Sequence, residues 1–248
     1  MLSYFRKAED NERGADEFHG IGGPLGVSNA RDVHPLAAAY VEAAQQCGYP
    51  RNDDFNGRAQ EGAGLYQTTM RNGVRSSTAA AYLKPARRRT NLKVVPEALA
   101  TRILFEGRRA VGIEYLAGSE KRRANANAEV IVASGTFNSP QLLQLSGLGP
   151  APLLQSLGIP IVADAPGVGD RLNDHYAGRI ILRCKEPITL NDTVRSWSGK
   201  IGASLRYAFT RRGSLTVTAI SAGCFVRSAR WRSIRPTESA ESCMRSPA

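Results

Sequence analysis

GTFNSPQLLQLSGLG, residues 135–149, decides how this chain of 248 residues reads. A nearly all-apolar, β-branched run, Glu129-Val130-Ile131-Val132-Ala133, leads into it through Ser134-Gly135. Such a run predicts a strand buried on both faces. Ser139 is suited to cap a helix and Pro140 to open its first turn, and Gly147 ends it after Leu142, Leu143 and Leu145. A strand, a glycine-containing turn and a helix N-terminus can bring backbone N–H groups close to a phosphate or a ribose.

Working outward, residues 92–95, 98–105 and 110–115 read as strands, with a fourth stretch at 122–126. Glu106-Gly107 and Ala117-Gly118 supply turns, so an antiparallel meander is expected. Further upstream, Leu36, Ala37, Tyr40, Val41 and Ala44 recur at helical spacing, with Asp32 as cap, Pro35 in the first turn and Gly48 as stop. A short strand at 65–70 precedes the tight-turn dipeptide Asn72-Gly73, and Ser76 or Ser77 caps a short helix at 78–83. Downstream come a helix at 150–157 closed by Gly158, a strand at 178–183, a basic helix at 194–209 and a strand at 214–226.

Composition narrows the function. At 42% hydrophobic the chain can bury a core. No run approaches the ~18–20 apolar residues of a spanning helix. The N-terminus carries no apolar stretch of signal-peptide type. A cytoplasmic location is therefore expected, with peripheral membrane attachment as its variant. Cys47, Cys184, Cys224 and Cys243 are far apart, form no C-x-x-C pair and read as unpaired thiols, and no metal site is expected. The net charge of +11 is scattered through Arg-rich clusters without interleaved aromatics, which argues against nucleic-acid binding.

Single residues offer little catalytic chemistry. His175, in Asn173-Asp174-His175, reads as a structural loop histidine, and no catalytic residue is assigned. Ser139 lacks a G-x-S-x-G elbow and reads as a cap. Asp53-Asp54 reads as a solvated pair, and Arg75-Ser76-Ser77-Thr78 as a helix start able to approach a phosphate.

Residues 135–149 fit every constrained position of the second signature of the glucose-methanol-choline (GMC) oxidoreductases, and the chain resembles that family. HGIGGPL, NDDFNG, YQTTMRNGVRSSTAAAYL, the NLKVV…ATRILFEGRRAVGIEY stretch and PGVGDRLNDHY resemble it in the same order. RNDDFNG and RCKEPITLND point to the choline dehydrogenase-like members. The resemblance implies an FAD enzyme that oxidises a small-molecule alcohol by hydride transfer to flavin. It also implies an α/β fold of mixed helix and strand: an incomplete FAD-binding Rossmann-like domain with a β-meander, joined to part of an antiparallel-sheet substrate domain.

The expected division is 1–90 for helical and loop regions covering FAD and substrate, and 91–177 for meander, core strand and signature helix. The start of the substrate domain follows at 178–226, and an irregular tail at 227–248. By resemblance, the backbones of Ala133, Ser134 and Gly135 lie near the adenosine half of FAD, and that of Ala100 near the adenine. The G-x-G-x-x-G unit and the family's catalytic histidine are both missing from this sequence, so the chain reads as an internal fragment. An inactive remnant or interaction protein is the rival expectation.

Overall fold

Long apolar runs are scarce in the first 92 residues, and short elements tied by polar side chains form there. The computed structural model describes residues 1–218 and 220–227. Met1–Leu92 and the segment from Leu182 onward make one compact unit, and Lys93–Ile181 a second. In the first, α1 (Leu2–Ala8) runs into β1 (Glu9–Asn11), which pairs in parallel with β2 (Leu25–Val27). Next comes α2 (Pro35–Gln46). Pro35 takes its first position, which makes residue 34 the cap, and His34 Nδ1 accepts the Leu36 N–H at 3.2 Å. Asp32, the expected cap, instead accepts the Gly213 N–H at 2.6 Å and pairs with Arg206 at 2.8 Å.

The strand expected at 65–70 is realised only at its ends, as β3 (Gly62–Leu65) and β4 (Met70–Arg71). Asn72 and Gly73 both take positive φ, 52° and 71°, and turn the chain into β5 (Val74–Arg75), which pairs with β4. A π-helical turn at Ala79–Leu83 then runs into α3 (Lys84–Ala86).

Where the chain enters the second unit, residues 92–95 are exposed and irregular instead of a strand. The meander forms as β6 (Ala98–Glu106), β7 (Arg109–Ala117) and β8 (Glu120–Asn125), in the order β6-β7-β8, with Gly107 and Gly118 turning at positive φ. Residues 129–133 do not form the expected strand, and Ile131 is 79% exposed. A strand of that composition needs hydrogen-bonding neighbours and cover on both faces, and no described strand lies against it.

The helix α4 (Gly135–Leu145) begins before Ser139, with Pro140 inside it. Ser139 Oγ accepts the Ser134 N–H at 3.1 Å, so it ties the turn from within the helix and does not cap it from in front. At Gly147, with φ 91°, a Cβ would stand 2.4 Å from the Pro160 carbonyl oxygen, so only glycine fits. β9 (Leu148–Gly149), α5 (Ala151–Ser156) and β10 (Ala163–Asp164) follow, with β10 parallel to β9.

Across the return to the first unit at Leu182, residues 178–183 form no strand and are almost wholly exposed. One expected helix at 194–209 is two: α6 (Leu190–Arg195) and α7 (Trp197–Thr210). Ser196 sits between them in extended backbone, and its Oγ caps α7 by accepting the Gly199 N–H at 2.9 Å. The strand expected at 214–226 survives only as β11 (Ala222–Phe225), antiparallel to β3, after a 3-10 turn at Ser214–Thr216. Phe225 stacks against Phe55, which also meets Tyr66, with centroids 4.9 and 5.2 Å apart. Cys184 and Cys224 are free thiols, whereas Cys47 is disulfide-bonded, against the expectation of unpaired thiols. The expectation for 228–248 lies outside the described residues. The mixed helix-and-strand class is as the sequence predicts.

Candidate functional site

Four residues were singled out for a cofactor, and all lie in the second unit. Ala133, Ser134 and Gly135 are consecutive, exposed, and stand at the entrance to α4. Gly135 has φ 83°, a backbone region that side chains with a Cβ enter only with strain, and nothing lies within 4 Å of where a Cβ would be. That turn therefore presents main chain to open space. Of its N–H groups, that of Ser134 is already held by Ser139. Ala100 lies on β6 opposite Tyr115 of β7, next to a register shift between Ala100 and Arg102. No described hydrogen bond joins Ala100 to the other three.

What does link β6 to α4 is Ser146, which the sequence reading passed over as a motif position without a role. Its side chain is fully buried. Ser146 Oγ accepts the Ile103 N–H at 2.8 Å and donates to the Leu142 carbonyl at 2.6 Å. β6 is an edge strand of the meander, and Ser146 satisfies one of its outward N–H groups. Ile103 and Leu142 are buried beside this contact.

A cavity of about 510 Å³ opens along α4. It is lined by Thr136, Phe137, Pro140, Gln141 and Gln144 on the helix, and by residues 169–173 of the PGVGDRLND segment. Gln144 Nε2 donates to the Val168 carbonyl at 2.9 Å and holds the two walls together. The structure thus brings two separate sequence blocks to one cavity beside the open turn at Gly135. His175, farther along the second block, is exposed, and its N–H donates to Asp174 Oδ1 at 2.7 Å.

The first unit holds a polar cluster that sequence reasoning missed. His19 is buried, with Nδ1 3.1 Å from Glu9 Oε2 and Nε2 3.0 Å from Asp54 Oδ2. Burial pulls the ring toward its neutral form, but hydrogen bonds and charge from Asp54 and Glu9 outweigh it, and the pKa rises above its ordinary 6.5. Buried Asn11 donates to Glu9 at 3.0 Å and to Gln67 at 3.1 Å. Asp54 is therefore not a solvated carboxylate as expected. Only its neighbour Asp53 is, exposed and paired with Arg51 at 2.9 Å.

With both ring nitrogens facing carboxylate oxygens, His19 is a fixed tie with no nitrogen left free to act as a base. The local sequence carries no signal for it, because Asp54 lies 35 residues away. Ser76 is likewise structural, its Oγ accepting the Gly26 N–H at 3.0 Å. Among the described residues no group of three or more His, Cys, Asp or Glu is placed to hold a metal ion.

Comparison with known proteins bears on both units. The family model described as GMC oxidoreductase matches residues 1–177. Human mitochondrial choline dehydrogenase is 46% identical over 227 residues, covering 92% of this chain and 38% of that protein. An oxygen-dependent choline dehydrogenase of Burkholderia vietnamiensis is 47% identical over 229 residues, covering 91% of this chain and 40% of that protein. Among solved structures, an FAD-dependent oxidoreductase from Chaetomium thermophilum superposes with a TM-score of 0.76 at 23% identity, over 89% of this chain and 41% of that one. At that identity the likeness is one of fold. This chain spans about two fifths of the length of the curated relatives.

Proposed function

Since the chain belongs to the GMC oxidoreductase family, we propose that it forms the adenosine side of an FAD site, together with part of a substrate domain. The enzyme to which these parts belong oxidises the CH–OH group of a choline-like alcohol. The observation that carries this reading is the open turn at Gly135, set at the head of α4 beside the cavity shared with residues 169–173. Main-chain groups of Ala133, Ser134 and Gly135 would hold the ribose side, and that of Ala100 the adenine. When bound, FAD supplies the hydride acceptor. The tasks of this chain are to seat its adenosine half and to shield it: Ser146 fixes α4 on β6, and Gln144 fixes residue 168 over α4.

The features that support this reading bear on the adenosine half of the cofactor. The G-x-G-x-x-G unit that seats a pyrophosphate on a helix N-terminus is not among these residues, and the proposal is confined to the adenosine half. His19, locked between Glu9 and Asp54, is not free to take the alcohol proton. A second reading follows from these two observations: a chain that keeps a partial fold without turnover of its own. For location the reading stays cytoplasmic, with peripheral membrane attachment as its variant, and no described helix is long and apolar enough to cross a membrane.

The test is titration of the purified chain with ADP and FAD, followed by amide NMR, with flavin absorbance tracked through gel filtration. The proposal expects shifts at Ala100 and at 133–135, with FAD lost on the column. Silence at those amides would remove the site assignment. Stoichiometric FAD bleached by choline would overturn the half-site reading.

A further inference from the structure

From the packing around His19 we infer a proton-controlled latch. The protonated ring holds the loop of residues 53–57 against the segment after β1, and loss of one proton lets that loop swing away. Both nitrogens of the buried imidazole face carboxylates, Nδ1 that of Glu9 at 3.1 Å and Nε2 that of Asp54 at 3.0 Å. A protonated ring can donate to both. A neutral ring has one N–H and one lone pair, so one carboxylate must then face a lone pair. The geometry selects which. Glu9 is held facing the ring by the Gly20 N–H and by Asn11 Nδ2, each at 3.0 Å, and cannot turn away. Asn11 Nδ2 also lies 3.2 Å from ring Nδ1, but its two hydrogens go to Glu9 and to Gln67 Oε1 at 3.1 Å. None is left for a lone pair at Nδ1, so that nitrogen keeps the last proton. The lone pair therefore opens on Nε2, against Asp54. Among the described residues the ring is the one donor to Asp54 Oδ2, and this side chain, 33% exposed against 17% for Glu9, can turn to water.

What the latch holds is a loop with a fixed base and a looser tip. Asn52 anchors the base, its N–H donating to the Ala63 carbonyl at 2.8 Å and its Nδ2 to the Ala59 carbonyl at 2.8 Å. Beyond it, Asp54 Oδ1 accepts the Asn56 N–H at 3.0 Å, so the carboxylate carries the turn with it. Phe55, next along the chain, packs against Tyr66 and Phe225, which makes its ring a reporter of any movement at Asp54. Otherwise the tip meets the segment after β1 through exposed contacts, Arg13 to the Asp53 carbonyl and Arg58 to Glu17. Exposed contacts of this kind are worth little. The remaining charges beside the ring are Asp16, whose Oδ1 accepts the His19 N–H at 2.7 Å, and Arg6, whose Nε donates to the His19 carbonyl at 3.4 Å. Both meet main chain and take no part in the ring's own contacts. Burial disfavours the charged ring, but Asp54 and Glu9 outweigh it and raise the pKa above 6.5. The latch is thus closed at acid pH and opens as pH rises through the raised value.

The experiment is an NMR titration of the full chain. The ring nitrogen and carbon shifts of His19 report its proton, and cross-relaxation between the ring and the Asp54 Hβ atoms reports the contact. As pH is raised from about 6, the contact should be lost with the midpoint of the ring. The Phe55 ring signals should shift with the same midpoint, while those of β3 and β11 stay in place. Asp54→Asn should keep the contact before and after the ring titrates, because a carboxamide can accept from an N–H and donate to a lone pair. A contact that outlasts the ring's proton overturns the proposal, as does an Asp54→Asn protein that opens in step with the wild type. Loss of the β3 and β11 signals before or together with the contact overturns it as well, since the whole unit would then be unfolding. The wild-type titration decides without any variant, so the test stands even if Asp54→Asn does not fold.

Discussion

His19 Nε2 lies 3.0 Å from Asp54 Oδ2, and this contact closes the segment after β1 onto the NDDFNG loop. The other ring nitrogen faces Glu9, so two carboxylates favour the protonated ring. Because the folded ring titrates above 6.5, the stability it contributes is complete below about pH 6.5 and fades as pH rises through the raised value. The melting temperature of the first unit should therefore fall as pH rises above about 6.5. His19→Gln should flatten that dependence and cost about 2 kcal/mol at the acid end, since it leaves a carboxylate of the cluster without its cationic donor. A profile unchanged by the substitution would show that the bridge does not contribute.

Ser146→Ala removes the acceptor of a buried N–H on an edge strand. The Ile103 N–H is buried and would be left without this partner, so a loss of about 1–3 kcal/mol is expected. Urea unfolding read from the second unit measures it. Hydrogen exchange at Ile103 should accelerate selectively, whereas a uniform acceleration would point to global loosening instead.

Asp32 holds the end of α7 by accepting from Gly213 N–H and pairing with Arg206. Asp32→Ala should cost about 1–2 kcal/mol, most of it from the charge-assisted bond to the backbone. Asp32→Asn should recover the larger part of that loss. Equal losses in the two variants would assign the effect to the surface ion pair, which is worth little in water.

Gly135→Val places a β-branched side chain at φ 83° in the turn that faces open space. Strain of about 1–3 kcal/mol should shift or fray the start of α4. If the turn seats adenosine, ADP-induced amide shifts at 133–135 should disappear while the meander spectrum is retained. Undiminished ADP binding would move the site elsewhere.

How far the sequence could be read depended on whether each element found its partners nearby. The meander was legible because β6, β7 and β8 pair with their neighbours through turns at Gly107 and Gly118. Residues 129–133 and 178–183 have equally good strand composition but stay irregular, since an extended apolar run becomes a strand only beside another strand. Capping errors were local. Asp32 and Ser139 are good cap residues, but each was drawn to a different N–H donor.

The sequence alone determined the family, because the side chains of residues 135–149 and the ordered blocks around them record which backbone turns and glycines the fold demands. It also determined the mixed helix-and-strand class through periodicity. Tertiary structure alone decided that Ser146 locks helix to meander and that His19 is tied between Glu9 and Asp54. Each of these joins groups far apart in the chain. Hydrogen bonds and burial act through space, and a linear pattern does not encode such distances until the chain has folded.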